Sequence, residues 1–585
     1  MQGLAFRGND ESERSLNQGN FIELLKVVAS CNEDISNVVL KNAPDNLKLT
    51  SPDIQSDIIN AAAVETTKAI IMDIGNGFFS ILVDECRDVS VKEQMGVVIR
   101  YVDKNGCVIE RFLGLVHVSD TASTSLEMGI DSLFSTHGLS VSSLRGQGYD
   151  GASNMRGEFN GLKSLILKRT PSAYYVHCFA HQLQLTIVAV AKKHTSIGSF
   201  FNTVTRLCNV VGGSCKRRDM LRENQREKII EGIANGEINT GRGLNQEMEL
   251  KRPGDTRWSS HYGTLINLMH LFSSIIDVLE YVGKNGNDDA QRAEAIDLLD
   301  VMNRFEFVFV LHIMRKILGI THELSQVLQR KDQDIVNAMN LVKVAKTRLQ
   351  AMRDDGWEIL LTEVSKFCST HEIIMLDMED EYVARGRGRR RVEKMTNLHH
   401  YRVELFYSVI DMQVLELNHR FDEINTELLL CMACLDPRDS FSAFDVKKLV
   451  RLAKLYPSEF SEVTLYELES QLENFIFDVR LDEKFSKLLG IGGLAQKMVS
   501  TRKHEVFPLV YQLIKLSLVL PVATATVERA FSAMKFIKSA LRNRMGDKLL
   551  NDCLVSYIEK DVFVNVTNEA IMQRFQNMKN RREML

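Results

Sequence analysis

Proline and tryptophan are both scarce, 8 and 2 in a chain of 585 residues. With few prolines and 45% hydrophobic residues, the chain has the apolar material to offset chain entropy, which excludes a disordered protein. An excess of one charge sign is missing too. The 72 basic and 76 acidic side chains leave a formal charge of −4, so a polyanion must be held by local basic patches rather than by a field over the whole surface. No apolar run reaches the ~18–20 clean residues of a spanning helix. The longest near the C-terminus, LVYQLIKLSLVLPVATATV, is broken by Lys515 and Pro521, and no membrane segment is expected. The opening MQGLAFRGNDESERSLNQGN lacks the apolar core of a secretory leader, and ten cysteines are scattered, which points to a reducing compartment. The one close cysteine pair, Cys431 and Cys434, sits on an apolar run with no second pair at zinc spacing; core thiols are expected there.

What is present is enough chain for two to four domains at the usual ~100–200 residues each. Residues 1–75 carry apolar positions at helical spacing, with Ser51 before Pro52 and Asp53 as a helix start: a helical lead-in. Over 76–195 the character changes. GFFSILVDECRD reads as a strand, QMGVVIRYVDKNGCVIERFLGLVHV as a hairpin turning at Asp103 to Gly106, and helices alternate with two further short strands, giving an α/β layer. From 196 to 500 the strand pattern disappears and long amphipathic segments follow one another, interrupted by polar stretches around 222–256 and 379–391. The last segment, 501–585, is again helical, and its apolar surface suits either core or a second subunit.

Three acidic residues stand out by position. Asp84 ends the strand FSILVD, Asp150 follows the short strand LRGQGYD, and Glu528 lies on the helical run TATVERAFSAMKFI. A carboxylate at a strand end is held by stiff backbone and suits a divalent cation, which demands fixed oxygen ligands; the same position also suits capping of the next turn. Glu85 and Asp88 are rival ligands. His177, Cys178 and His181 form a cluster that alone reads as half a zinc site, with no complementary half, or as a buried thiol and hydrogen-bonded histidines. Trp258 precedes a helix and reads as a core anchor. Arg529, Arg542 and Arg544 would place cations on the helix that carries Glu528, facing either solvent or phosphates. The run Arg385, Arg387, Arg389, Arg390 and Arg391 is the densest basic segment, readable as a DNA-contacting loop, a nuclear import signal or a solvated loop.

The blocks ILVDECRDVSVKEQM, GQGYDGASNMRGEFNGLKSLI, YVHCFAHQLQL, TRWSSHY and ATATVERAFSAMKFIKSALRNRM, in that order, resemble the hAT superfamily of cut-and-paste DNA transposases. More narrowly they resemble the transposon-derived TTF-type or MYM-type zinc finger proteins. The resemblance implies an RNase H-like catalytic core interrupted by a large all-helical insertion, with a helical C-terminal dimerisation region. It implies an Asp-Asp-Glu triad on Asp84, Asp150 and Glu528, the last lying 378 positions after Asp150, an interval that holds the insertion. Two Mg²⁺ or Mn²⁺ ions held by such carboxylates serve hydrolysis and strand transfer at phosphorus. The Cys-x-x-His motif falls on Cys178 and His181 and is linked to handling DNA, and the tryptophan that stacks on a flipped base falls on Trp258. The implied partners are DNA and a second copy of the chain, and the implied location is the nucleus. Relatives carry an N-terminal zinc finger; here no Cys/His array precedes residue 50, and the opening resembles the segment that follows such a finger. Two functions are therefore expected: a DNA transposase-like polynucleotidyl transferase, or a domesticated, non-catalytic dimerising nuclear protein.

Overall fold

The computed structural model describes residues 2–44, 47–236, 238, 239, 241, 245–254, 259–383, 395–421 and 427–579. Two compact units emerge, one from residues 1–181, 328–338 and 425–585, the other from 182–327 and 339–424. The helical stretch 196–500 expected as one block is thus divided, because residues 425–500 pack with the sheet-bearing unit.

The first unit holds the one sheet found among the described residues. Its strands are β1 (Phe79–Arg87), β2 (Glu93–Val102), β3 (Val108–His117), β4 (Leu144–Tyr149) and β5 (Tyr174–His177), in the order β3-β2-β1-β4-β5. The β1/β2 and β2/β3 pairs are antiparallel, the β1/β4 and β4/β5 pairs parallel. The β2–β3 hairpin turns where the sequence puts it: Gly106 takes φ 79°, the left-handed region that a side chain resists, and donates its N–H to the carbonyl of Asp103.

Helices of this unit used below are α1 (Pro52–Ile74), α2 (Ser123–His137), α3 (Leu162–Arg169), α4 (Phe179–Lys193, which leads into the second unit), α5 (Glu462–Leu481), α6 (Pro508–Val519), α7 (Ala525–Ile537) and α8 (Asp547–Ile558). Ser51 caps α1 by accepting the N–H of Ile54, and Pro52 supplies a first-turn residue that needs no partner. Strand side chains alternate faces, and the core follows that period. Ile81, Val83, Val97 and Ile99 pack on one side with Leu126, Ile130 and Phe134 of α2 and Leu162 and Ile166 of α3. Leu82, Val98 and Phe112 pack on the other with Val527, Ala530, Phe531 and Met534 of α7 and Leu550 and Leu554 of α8. Each fully buried side chain of this size contributes about 1.5–3 kcal/mol, so burial fixes which face α7 covers.

The second unit is built of helices, among them Thr195–Gly212, Phe272–Asn285 and Trp357–Thr370. Its aromatic centre sets Phe309 against Tyr401 and Trp357, with Trp357 also meeting Phe406. No single described helix is long and apolar enough to cross a membrane.

Candidate functional site: acidic residues beside the central strands

Strand parity decides where the first two acids go. Leu82 pairs with Gly148 across the parallel β1/β4 ladder, and Asp84 and Asp150 each lie two residues further on. Asp84 is still within β1 and shares the parity of Leu82, which packs against α7, while Asp150 lies just past β4, near enough for its charge to act on Asp84.

Glycines bring the third acid in. Gly96 is directly opposite Asp84 on β2, and a Cβ there would stand 2.9 Å from Val527 Cγ1 on α7. A bare backbone at 96 therefore lets α7 settle onto the sheet, with Glu528 one residue beyond the contact. Gly146 and Gly148 do the same on β4, where a Cβ would come within 3.0 and 2.8 Å of Pro521. The segment entering α7 is pinned by Cys178: its Sγ accepts from the Thr524 N–H at 3.3 Å and from Thr524 Oγ1 at 3.4 Å, while the Phe179 N–H donates to the Val522 carbonyl.

The electrostatics agree with this placement. Asp84 is pushed up to about 7, first by burial, then by the charges of Asp150, Glu528 and Glu85, against a single backbone N–H from Glu85 at 2.9 Å. Glu85 is also pushed up to about 7, chiefly by burial and by Asp150; Asn154 Nδ2 donates to it at 3.1 Å. Burial raises the Cys178 thiol, with Glu528 adding to the shift. The donor set of three carboxylates, with no cation among the influences on Asp84, fits a divalent ion by charge. Among the described residues, however, no group of three His, Cys, Asp or Glu side chains is placed to hold a metal ion. The acids share a crevice without converging on one point.

The Asp-Gly-Ala-Ser-Asn segment acquires a local explanation. Asp150 Oδ1 accepts the N–H of Ala152, its carbonyl accepts Tyr175 Oη, and a Cβ on Gly151 would press into the His177 ring at 2.7 Å. His177 is buried, and its ring lies 5.8 Å from that of His181. Asp88 is removed from the set of rival ligands: it forms a buried ion pair with Lys538 at 2.7 Å. Glu85 is not. The third-acid helix carries Arg529, whose guanidinium donates to Thr526 Oγ1 and to the Gln329 carbonyl. Arg542 and Arg544 lie past the end of that helix; Arg542 donates to the Gly3 carbonyl, and Arg544 is exposed. Trp258 and the arginines at 385–391 lie outside the described residues.

Sequence reasoning passed over the glycines and Arg100. Arg100 is fully buried, pairs with Glu110 at 2.8 Å and donates to the carbonyls of Leu518, Lys331 and Gln333; Glu110 in turn accepts from Thr526 Oγ1. This network ties β2 and β3 to the start of α7. An arginine in the middle of a β-branched strand was the available signal.

Comparison with known proteins agrees with the architecture. Residues 1–161 match the family described as ZMYM1/FAM200, RNase-like domain, and residues 497–562 match the hAT family C-terminal dimerisation region. Two segments of the chain thus match models from hAT-related proteins, an RNase-like domain and a C-terminal dimerisation region. It is similar to the 52 kDa repressor of the inhibitor of the protein kinase from Homo sapiens, 20% identical over 490 residues, and to the Mus musculus protein of the same name, 20% identical over 493. These alignments cover 83% of this chain and 62% of either relative, so the chain spans about 62% of the length of the curated relatives it matches.

Proposed function

We propose that this chain is a hAT-derived, transposase-type DNA-binding protein of the nucleus, with an RNase H-like core whose acidic crevice cuts and joins DNA. What supports the reading is Asp84, pushed up to about 7 by burial and by the nearby charges of Asp150, Glu528 and Glu85. Strand order supports it as well: an antiparallel β3-β2-β1 meander is continued by parallel β4 and β5, with Asp84 inside β1 three residues before its end, Asp150 just past β4 and Glu528 on α7, which packs on the sheet.

Asp84, Asp150 and Glu528 would hold Mg²⁺ or Mn²⁺, one ion or two. A bound divalent cation would supply charge neutralisation and polarisation of a phosphoryl oxygen. The chain's own residues do the rest. Glu85, which accepts from Asn154, follows Asp84 on β1 and adds negative charge beside it. Cys178 keeps α7, and hence Glu528, seated on the sheet. Arg542 and Arg544 extend basic surface beyond the crevice for DNA phosphates, and Trp258 with the Cys178 and His181 motif contributes to strand handling. Arg529, bonded inward, braces the helix instead.

A second reading has one observation in its favour, the lack of a three-donor metal arrangement among the described residues. On that reading the chain is domesticated and acts through dimerisation and DNA binding alone. Nicking of supercoiled plasmid and of DNA bearing the repeats that flank the gene, measured with Mn²⁺ or Mg²⁺, separates the two. The first reading expects cation-dependent products that fall to background in Asp150→Ala. Equal, metal-independent signals from both proteins, with DNA binding retained, establish the second.

A further inference from the structure

Among the described residues of the sheet-bearing unit, one face of α5 leaves large apolar side chains exposed. Its buried side is settled by Leu468, Leu472, Phe475, Ile476 and Val479. On the opposite side, at helical spacing, stand Val463, Tyr466, Ser470, Asn474, Phe477 and Leu481, all exposed. The four large members are between 70% and 84% exposed, which is unusual for Tyr, Phe and Leu sharing one helix face.

The order of residues along this stripe is symmetric. About Leu472, Val463 and Leu481 lie nine positions to either side, Tyr466 and Phe477 six and five, and Ser470 and Asn474 two each. Such a stripe is its own complement under a two-fold axis. Two copies of α5 laid antiparallel would set Val463 against Leu481, Tyr466 against Phe477 and the polar pair at the centre, the self-matching that a closed two-fold contact requires. A partner of different sequence imposes no such symmetry.

The helix is also continuous with the segment matched as a dimerisation region, residues 497–562. Gln471 Oε1 accepts the N–H of Leu509 at 3.0 Å, Phe475 meets the Phe507 ring edge-on at 5.5 Å, and Lys503 pairs with Asp478 and Asp482. Val506, beside those contacts, is itself 65% exposed. We propose that α5 forms a two-fold seam with α5 of a second copy, extending the dimer contact outside residues 497–562. The proposal rests on the reading of this chain as a hAT-derived, dimerising protein and assigns part of the contact to residues outside the matched segment.

The full chain is to be studied by sedimentation velocity over a concentration series, as wild type, as the Tyr466→Glu/Phe477→Glu variant, and as Leu489→Glu, a change at an apolar residue 81% exposed but off the stripe. The seam predicts at least a tenfold weaker dimer for the double variant and an unchanged one for Leu489→Glu. A wild-type dimer that the double variant leaves equally tight overturns the seam while sparing dimerisation through 497–562; a wild type that is monomeric throughout overturns both. Because a dimer can also weaken through misfolding, a second measurement uses Tyr466→Cys and Phe477→Cys proteins, mixed and oxidised. A disulfide-linked peptide joining 466 to 477, identified by mass spectrometry and more abundant than the 466–466 link of the single variant, is the expected result. Equal amounts of the two links contradict the antiparallel register.

Discussion

A carboxyl that ionises only near pH 7 is a cost to the fold that carries it. Asp84 is held in a crevice with three other acids, and its folded value lies well above the 3.8 of an unperturbed aspartate. The unfolded chain therefore releases its proton at lower pH than the folded one, and stability falls as pH rises between about 4 and 7. Replacing the charge removes that loss. Asp84→Asn is expected to stabilise the metal-free protein at pH 8 by on the order of 2 kcal/mol, with the gain vanishing near pH 4. Urea unfolding in a chelator at both pH values measures it, and a pH-independent gain would mean the cause lies in packing. From sequence Asp84 was expected to end its strand, but β1 runs on to Arg87; Asp150 does follow a short strand and Glu528 does lie on a helix. The packing of that helix on the sheet was not legible, since it depends on Gly96, Gly146 and Gly148 admitting Val527 and Pro521, and glycine in a strand announces only close approach, not what approaches.

Between elements, buried charge does work that hydrophobic patterning conceals. Lys538 follows the last turn of α7 and Asp88 the end of β1; both are almost wholly buried, and their 2.7 Å pair is reinforced by Gln94 Nε2 and by the N–H groups of Ser90 and Lys92. Burial alone would raise Asp88, but these donors carry it below its usual value. Removing one partner strands the other. Lys538→Met is expected to cost about 3–5 kcal/mol in thermal or denaturant unfolding, whereas the double change Lys538→Met/Asp88→Leu should recover most of the loss. If the single change proves neutral, the pair does not hold α7 in place. From sequence, Asp88 was a candidate ligand and Lys538 drew no notice, because an ion pair across 450 positions leaves no local trace. The strands, the hairpin and the helices flanking them were legible, since period and turn chemistry are local.

At the scale of the whole chain, the division into units sets what unfolding should look like. One unit is assembled from three stretches and contains the dimerisation region; the other is formed from 182–327 and 339–424. The sequence placed the end of the strand-bearing stretch at 195, past the first crossing at 181/182, and residues 425–500 share the helical pattern of 339–424, so only their packing assigns them to the sheet-bearing unit. Two cores need not melt together, so one midpoint does not describe the protein. If the chain dimerises through the proposed interface, a second copy stabilises only the folded form of the unit that bears it, by an amount that grows with protein concentration. Calorimetry across a hundredfold concentration range should therefore resolve two transitions, one rising by several degrees and one fixed. The rising transition is assigned by hydrogen exchange in β1, β2 and α7, where protection should be lost with it, and Tyr466→Glu/Phe477→Glu should flatten its concentration dependence without moving the fixed one. Two transitions that shift in parallel would place the second copy's contact on both units.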